Sequence, residues 1–241
     1  REKLPETAFD SLRKLLSTKN IQEKKGAYPL EFRLDETLSC EEYAVTADAA
    51  RTMVRAADAD GLRRAVYFLE DRIREAEGPA VMEGNWKRRP FVKHRISRCF
   101  FGPTYRPPFF IDELTNDVDY YPDTYLNKLA HEGVNGLWLT ITFKDLCKTS
   151  FTPEYAPDAD RRFAKLRRTI DKCRRYGIKI YVFCIEPAAF DADSPVLKRH
   201  PEMGGIRHGE KVCFCPFSDA SKQYLREAVG RIFKNAPGLG G

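Results

Sequence analysis

The chain has 241 residues, 42% of them hydrophobic and 32% charged, the make-up of an ordinary globular protein with material for one large domain or two smaller ones. No apolar run approaches the ~20 residues of a membrane span, so no membrane partner is expected. The formal charge of +6 raises nucleic acid as a partner, and where that charge sits decides the point.

In chain order, Arg1 is followed by no charged-then-apolar leader, so any signal peptide has been removed or was never there. Thr7 can cap a helix that carries Phe9, Leu12, Leu15 and Leu16 on one side. Leu30, Phe32 and Leu34 alternate with polar residues, as do Tyr43 and Val45, and Thr52 to Ala56 makes a third candidate strand. Asp58 then opens an amphipathic helix with Leu62, Ala65, Val66, Leu69 and Ile73 on one face. Residues 1–86 thus read as a small α+β module, closed by a polar joint over 83–90.

Beyond the joint the rhythm becomes strand, long loop, helix. Strands are expected over 94–101, 136–142 and 178–185, with helices over 122–133, 160–176 and 218–235. Gly133 and Gly177 supply the helix stops. The third strand is apolar almost throughout, as a parallel sheet covered on both faces requires. A closed eight-unit barrel takes ~250 residues, and the roughly 150 here hold three units. The expected fold class is therefore α/β, a small amino-terminal α+β domain and then, over 87–241, an incomplete (β/α)8 barrel. The segments after the strands (102–121, 143–159 and 186–217) are long and those before them are short, which places a binding face at the strands' carboxyl ends.

Much of the positive charge falls on the 160–176 helix, in Arg161, Arg162, Lys165, Arg167, Arg168, Lys172, Arg174 and Arg175. Phe163, Leu166, Ile170 and Cys173 form the opposite, apolar stripe, so the cations read as a solvated face. No aromatics interleave with them, and nucleic acid is not expected as a partner. Seven scattered cysteines do not make a disulfide scaffold and suit a reducing, cytoplasmic setting. No phosphate-binding glycine loop and no Gly-x-Ser-x-Gly turn is present.

Several stretches resemble a known pattern. Glu42 to Thr46, Met53 to Ala57 and Asp58 to Ala65 are similar to the α+β domain that precedes the barrel in family 20 glycoside hydrolases, the β-N-acetylhexosaminidases, and in family 67 α-glucuronidases. Arg89-Pro90-Phe91-Val92-Lys93-His94-Arg95 resembles the run that opens the family 20 barrel. Asn135 to Leu139 resembles its second strand, and Ala236 to Gly241 the segment ahead of the fourth strand in family 67. The resemblance implies hydrolysis of O-glycosyl bonds on a carbohydrate substrate, without cofactor or metal. It puts the catalytic carboxylates beyond Gly241, so that none is expected in this chain and the 241 residues alone are expected to be inactive. A non-catalytic carbohydrate-binding or scaffolding module is the alternative.

The resemblance also nominates Arg95 for binding sugar hydroxyls, with Arg98 in the same role if the register slips; an ion pair is the other reading of Arg95. Glu186, directly after the third strand, and Asp145, after the second, are acids placed to accept bonds from a sugar. The Phe143-Lys144 pair departs from the aspartates that family 20 has near there. His200 lies in a long loop with His208, Cys213 and Cys215; it can reach substrate, whereas packing suits this group better than zinc, because Cys-x-Cys is not the usual ligand spacing.

Overall fold

The computed structural model describes residues 5–76, 83–98, 111–184 and 190–240. They form two compact units, one holding the chain up to Arg95 with 123–135 and 174–178, the other holding 96–122, 136–173 and the chain from Lys179 onward.

The first unit begins with helix α1 (Glu6–Thr18), which starts after Pro5 without a side-chain cap. Thr7, expected as the cap, lies inside the helix, and its hydroxyl donates to the Arg175 carbonyl at 2.7 Å. The proline ring fixes φ near the helical value and starts the helix earlier, which leaves Thr7 for a tertiary bond. Strands β1 (Leu30–Leu34), β2 (Tyr43–Ala47) and β3 (Thr52–Ala56) follow as expected. Helix α2 (Ala59–Glu75) starts at Asp58, whose backbone is extended and whose carboxylate accepts the Gly61 amide at 2.7 Å. The stretch 83–90, expected as a joint, instead supplies a strand, β4 (Gly84–Arg88), antiparallel to β2. As the edge strand it turns Trp86 inward and leaves Asn85 and Lys87 exposed, so its composition reads as polar. The sheet order is β1-β3-β2-β4, with β1 parallel to β3 and the other pairs antiparallel.

The core of this unit is the seam where α2 crosses the sheet. Leu62, Ala65, Phe68 and Leu69 pack with Tyr43, Val45, Val54 and Ala56, and Phe32 and Trp86 flank them. Full burial of one such leucine contributes about 1.5–3 kcal/mol. Helix α3 (Asp123–His131) also belongs to this unit and buries Leu126, Leu129 and Ala130. Gly133 and Gly177 take the left-handed conformation, φ 85° and 71°, just beyond α3 and just ahead of the third parallel strand, where the sequence places helix stops.

The second unit is built on β5 (Ile96–Arg98), β6 (Gly136–Ile141) and β7 (Lys179–Cys184), all parallel, in the order β5-β6-β7. The last positions of the expected 94–101 strand lie outside the described residues. Leu137, Leu139, Ile141 and Ile180 are buried on one face of the sheet. Helices α5 (Ala159–Arg174) and α7 (Asp219–Asn235) bury Phe163, Leu166, Ile170 and Cys173, and Tyr224, Ala228 and Ile232. Burial pushes the Cys173 thiol up to about 12, so it behaves as a small hydrophobe. No barrel closes among the described residues. The Gly240 amide donates to the Ile180 carbonyl at 2.7 Å, and a Cβ at Gly240 would meet the Tyr181 ring at 2.7 Å, so a side chain there would require that ring to shift.

The segments expected as irregular loops carry structure. Helix α4 (Phe143–Leu146) follows β6. Within 190–217 lie β8 (Phe190–Asp191), helix α6 (Pro195–Arg199), a single 3-10 turn, β9 (Gly204–His208) and β10 (Lys211–Phe214), the strands pairing antiparallel in the order β8-β10-β9. Their anchor is Tyr224 of α7, fully buried, with the rings of Phe143, Phe151, Phe190 and Phe214 centred 6.4, 6.2, 5.9 and 5.8 Å away. Strands this short, one opening on Gly204-Gly205, leave little periodicity in the sequence.

Candidate functional site

In a parallel sheet, paired residues share a face and alternate along each strand. The register puts Arg98, Trp138 and Tyr181 side by side, with Thr140 and Phe183 paired one step toward the carboxyl ends. The Arg98 guanidinium carbon stands 5.3 Å from the Trp138 ring centre, and the Trp138 and Phe183 rings meet edge to face at 5.2 Å. Ile96 and Phe183 on this face are 41% and 55% exposed, whereas the opposite face is buried. The second unit therefore presents a cationic and aromatic row across β5, β6 and β7, a surface suited to stacking on a flat, weakly polar ligand face while the arginine donates hydrogen bonds. Trp138 and Phe183 are not among the residues nominated from the sequence; strict alternation along the two strands, with the register of the pair, is the signal that finds them.

Asp145 sits on α4, just past the end of β6. The Thr142 hydroxyl donates to its carboxylate, and Lys144 Nζ donates to it at 2.7 Å. Lys144 in turn lies 5.2 Å from the Tyr155 ring centre. Asp145 keeps about a third of its side chain exposed, so part of its acceptor capacity faces solvent. His200 ends α6, with its ring 5.0 Å from that of Phe151 and Nδ1 3.4 Å from Glu202. No hydrogen bond or ion pair links Arg98, Asp145 and His200 to one another among the described residues. Glu186 lies outside them.

Arg95 belongs to the first unit, and its guanidinium is fully engaged there. Nε donates to the Gly133 carbonyl at 2.6 Å, Nη1 to those of Val92 and Lys93 at 2.7 and 3.2 Å, and Nη2 to Glu41 at 2.5 Å. Asn135 closes the knot, accepting the Arg95 amide at 2.8 Å and donating to Glu41 and to the Lys93 carbonyl. Glu41 holds its place with φ at 58°, in the left-handed region that a glutamate rarely adopts. Arg95 thus secures the backbone just ahead of β5.

The basic helix is not simply a solvated face, as expected from the sequence. Arg162 pairs with Asp112 and with Asp158, Arg161 donates to the Thr115 carbonyl at 2.6 Å, and Lys165 donates to the carbonyls of Asn116 and Val118. Lys172 pairs with Asp119 at 2.6 Å, and Arg167 donates to the Asn235 carbonyl at 2.8 Å. These cations clamp the 112–119 segment and the end of α7. Burial pushes the Asp112 carboxyl up in spite of Arg162 beside it; burial also works against the Arg162 charge, but the Asp158 and Asp112 carboxylates hold that guanidinium protonated. No cluster of His, Cys, Asp and Glu fit to hold a metal ion occurs among the described residues, and no helix there is long and apolar enough to cross a membrane.

No protein-family model matches the chain, and no curated protein does. Solved structures do match. A GH138 enzyme targeting pectin rhamnogalacturonan II superposes on 97% of this chain with a TM-score of 0.67 at 15% identity, the chain spanning 28% of that enzyme. The β-N-acetylhexosaminidase from Bacteroides fragilis matches over 98% with a TM-score of 0.58 at 15% identity, the chain spanning 50% of it. The GH20 exo-β-N-acetylglucosaminidase from Vibrio harveyi, solved with N-acetylglucosamine, matches over 98% at 0.59 and 15% identity, the chain spanning 41% of it. The fold is thus a mixed α/β fold shared with part of these glycoside hydrolases.

Proposed function

We propose that this chain is the amino-terminal part of a glycoside hydrolase, an α+β domain followed by the first three strands of a (β/α)8 barrel. The observation that carries the reading is the match along nearly the whole chain to part of a fold, all of whose quoted neighbours are glycosidases, together with an Arg98–Trp138–Phe183 row on the face a barrel turns inward. Arg98 is the arginine for sugar hydroxyls, because its guanidinium lies over an aromatic ring on the strand, whereas Arg95 spends every nitrogen on protein oxygens. Asp145 is a further acceptor at the carboxyl end of β6. The catalytic acid pair belongs to later strands.

The test is to assay purified protein on a panel of aryl glycosides that includes N-acetylamino sugars and uronic acids, the two classes that the family 20 and family 67 resemblances name. The 241-residue chain is expected to show no turnover. A longer form containing the strands that complete a barrel is expected to hydrolyse at least one substrate, with Arg98→Ala lowering kcat/KM by roughly tenfold or more. A folded, complete form that neither binds nor cleaves any glycoside sinks the proposal; one that binds sugars without cleaving them leaves the carbohydrate-binding module.

A further inference from the structure

The first unit buries an acid that none of the functions above uses. Glu70 of α2 is fully buried, a position carboxylates almost never hold without a neutralising partner. Three helices surround it. On α2, Arg74 reaches Oε2 at 3.2 Å with half its side chain in solvent, Asp71 is the next residue, and Tyr67 lies one turn earlier. From α3, His131 Nε2 stands 3.8 Å from the same oxygen and 3.2 Å from Asp71. The His131 ring meets the Tyr67 ring edge to face, centres 4.8 Å apart.

From α1, the Ser11 hydroxyl lies close enough to favour the charged form of Glu70. Ser11 also accepts the Asn127 amide of α3 at 3.2 Å, and Asn127 accepts the Tyr67 hydroxyl at 2.9 Å. A run of hydrogen bonds therefore joins all three helices beside the buried carboxylate. Its other oxygen, Oε1, and the Nε2 of His131 are both buried without a hydrogen-bond partner. A buried carboxylate oxygen left without a donor marks a place where a proton would be held.

We infer that the joint of α1, α2 and α3 is a proton-operated latch, in which a proton held on the buried Glu70 carboxyl secures α3 against the other two helices. With that proton gone, a buried carboxylate is left with Arg74, a cation half in water, as its main counter-charge. Burial, ahead of all the neighbouring groups, raises the Glu70 carboxyl above its ordinary value of 4.5. A pKa higher in the folded than in the unfolded chain gives a contribution that is complete below that ordinary value and is lost as pH rises through the folded value. The latch is accordingly firm in mild acid and loosens toward neutral and alkaline pH. Because α3 runs on into Gly133 and Asn135, both bonded in the Arg95 knot, the proton also bears on how firmly that knot is held.

Thermal unfolding of the purified chain from pH 5 to pH 8 tests this, alongside Glu70→Gln, which keeps the shape and carries a permanent neutral group. The wild type is expected to melt roughly 3 °C or more lower at pH 8 than at pH 5. Glu70→Gln is expected to melt above the wild type at pH 8 and to lose most of that slope. An unchanged slope in Glu70→Gln, or a variant less stable than the wild type at pH 8, overturns the inference. Hydrogen exchange on the wild type decides the matter even if the variant does not fold. After correction for intrinsic rates, the amides of α3 should open more readily at pH 8 than at pH 5, and equal protection at both pH values overturns it.

Discussion

The β1-β3-β2-β4 and β5-β6-β7 sheets of this protein are built from similar material and end in different states. The β1-β3-β2-β4 sheet turns its apolar face to α2, where Val45, Val54, Ala56 and Leu69 are all fully buried. The β5-β6-β7 sheet buries Leu137, Leu139, Ile141 and Ile180 on one face and carries Arg98, Trp138 and Phe183 on the other, leaving Phe183 and Ile96 in solvent. Alternating patterns belong to a sheet with one wet side, and continuous apolar patterns belong to a sheet covered twice. Strands β6 and β7 thus carry the nearly continuous apolar pattern of a doubly covered layer, while Phe183 on one of their faces stands half in solvent.

The largest effect that sharpens the comparison is expected at the closed seam. Leu69→Ala removes a fully buried side chain from the first core and should cost about 2–5 kcal/mol in urea unfolding. The two tryptophans, Trp86 and Trp138, fall one in each unit, so Trp138→Phe and Trp86→Phe backgrounds let fluorescence say which unit melts first. If the Trp138 signal moves as far as the Trp86 signal, the two sheets unfold as one body and the contrast drawn above is a matter of shape alone.

Next comes Arg162→Ala, which strands the buried Asp112 carboxylate in the second unit. A loss of about 3 kcal/mol is expected, seen in the Trp138 signal. A loss under about 0.5 kcal/mol would mean that the clamp on 112–119 is only the screened surface pairing expected of exposed charges. Asp58→Ala should cost about 1–2 kcal/mol, because it removes the acceptor for the Gly61 amide at 2.7 Å and for the Glu41 amide at 2.9 Å. The smallest effect is expected at Phe183→Ser, within about 0.5 kcal/mol of the wild type in unfolding, since half of that ring is already in water. The same change should reduce binding of a hydrophobic dye and slow aggregation; if neither moves, the exposed row is not a sticky surface.

Local chemistry was enough to make the first set of elements legible. Asp58 followed by an apolar stripe announces α2 and its cap, the alternation in Thr52–Ala56 announces β3, and Gly133 and Gly177 announce the helix stops, because each signal is read from neighbours a few residues apart. The order of strand and helix beyond residue 90 likewise foretells a parallel sheet, since parallel neighbours need a long crossover. Tertiary structure decided the rest. Glu41 meets Arg95 across 54 positions of sequence, Tyr224 gathers phenylalanines from four separate segments, and the polar run at 84–88 becomes a strand only because β2 offers it an edge. Charges on α5 could be counted from the sequence, but whether they meet water or the carbonyls of 115–118 depends on where the chain folds back. Periodicity records which side of an element is apolar; it holds no record of which distant group will lie against the other side, and in this protein that pairing sets the surroundings of Arg95, Arg98 and Glu70.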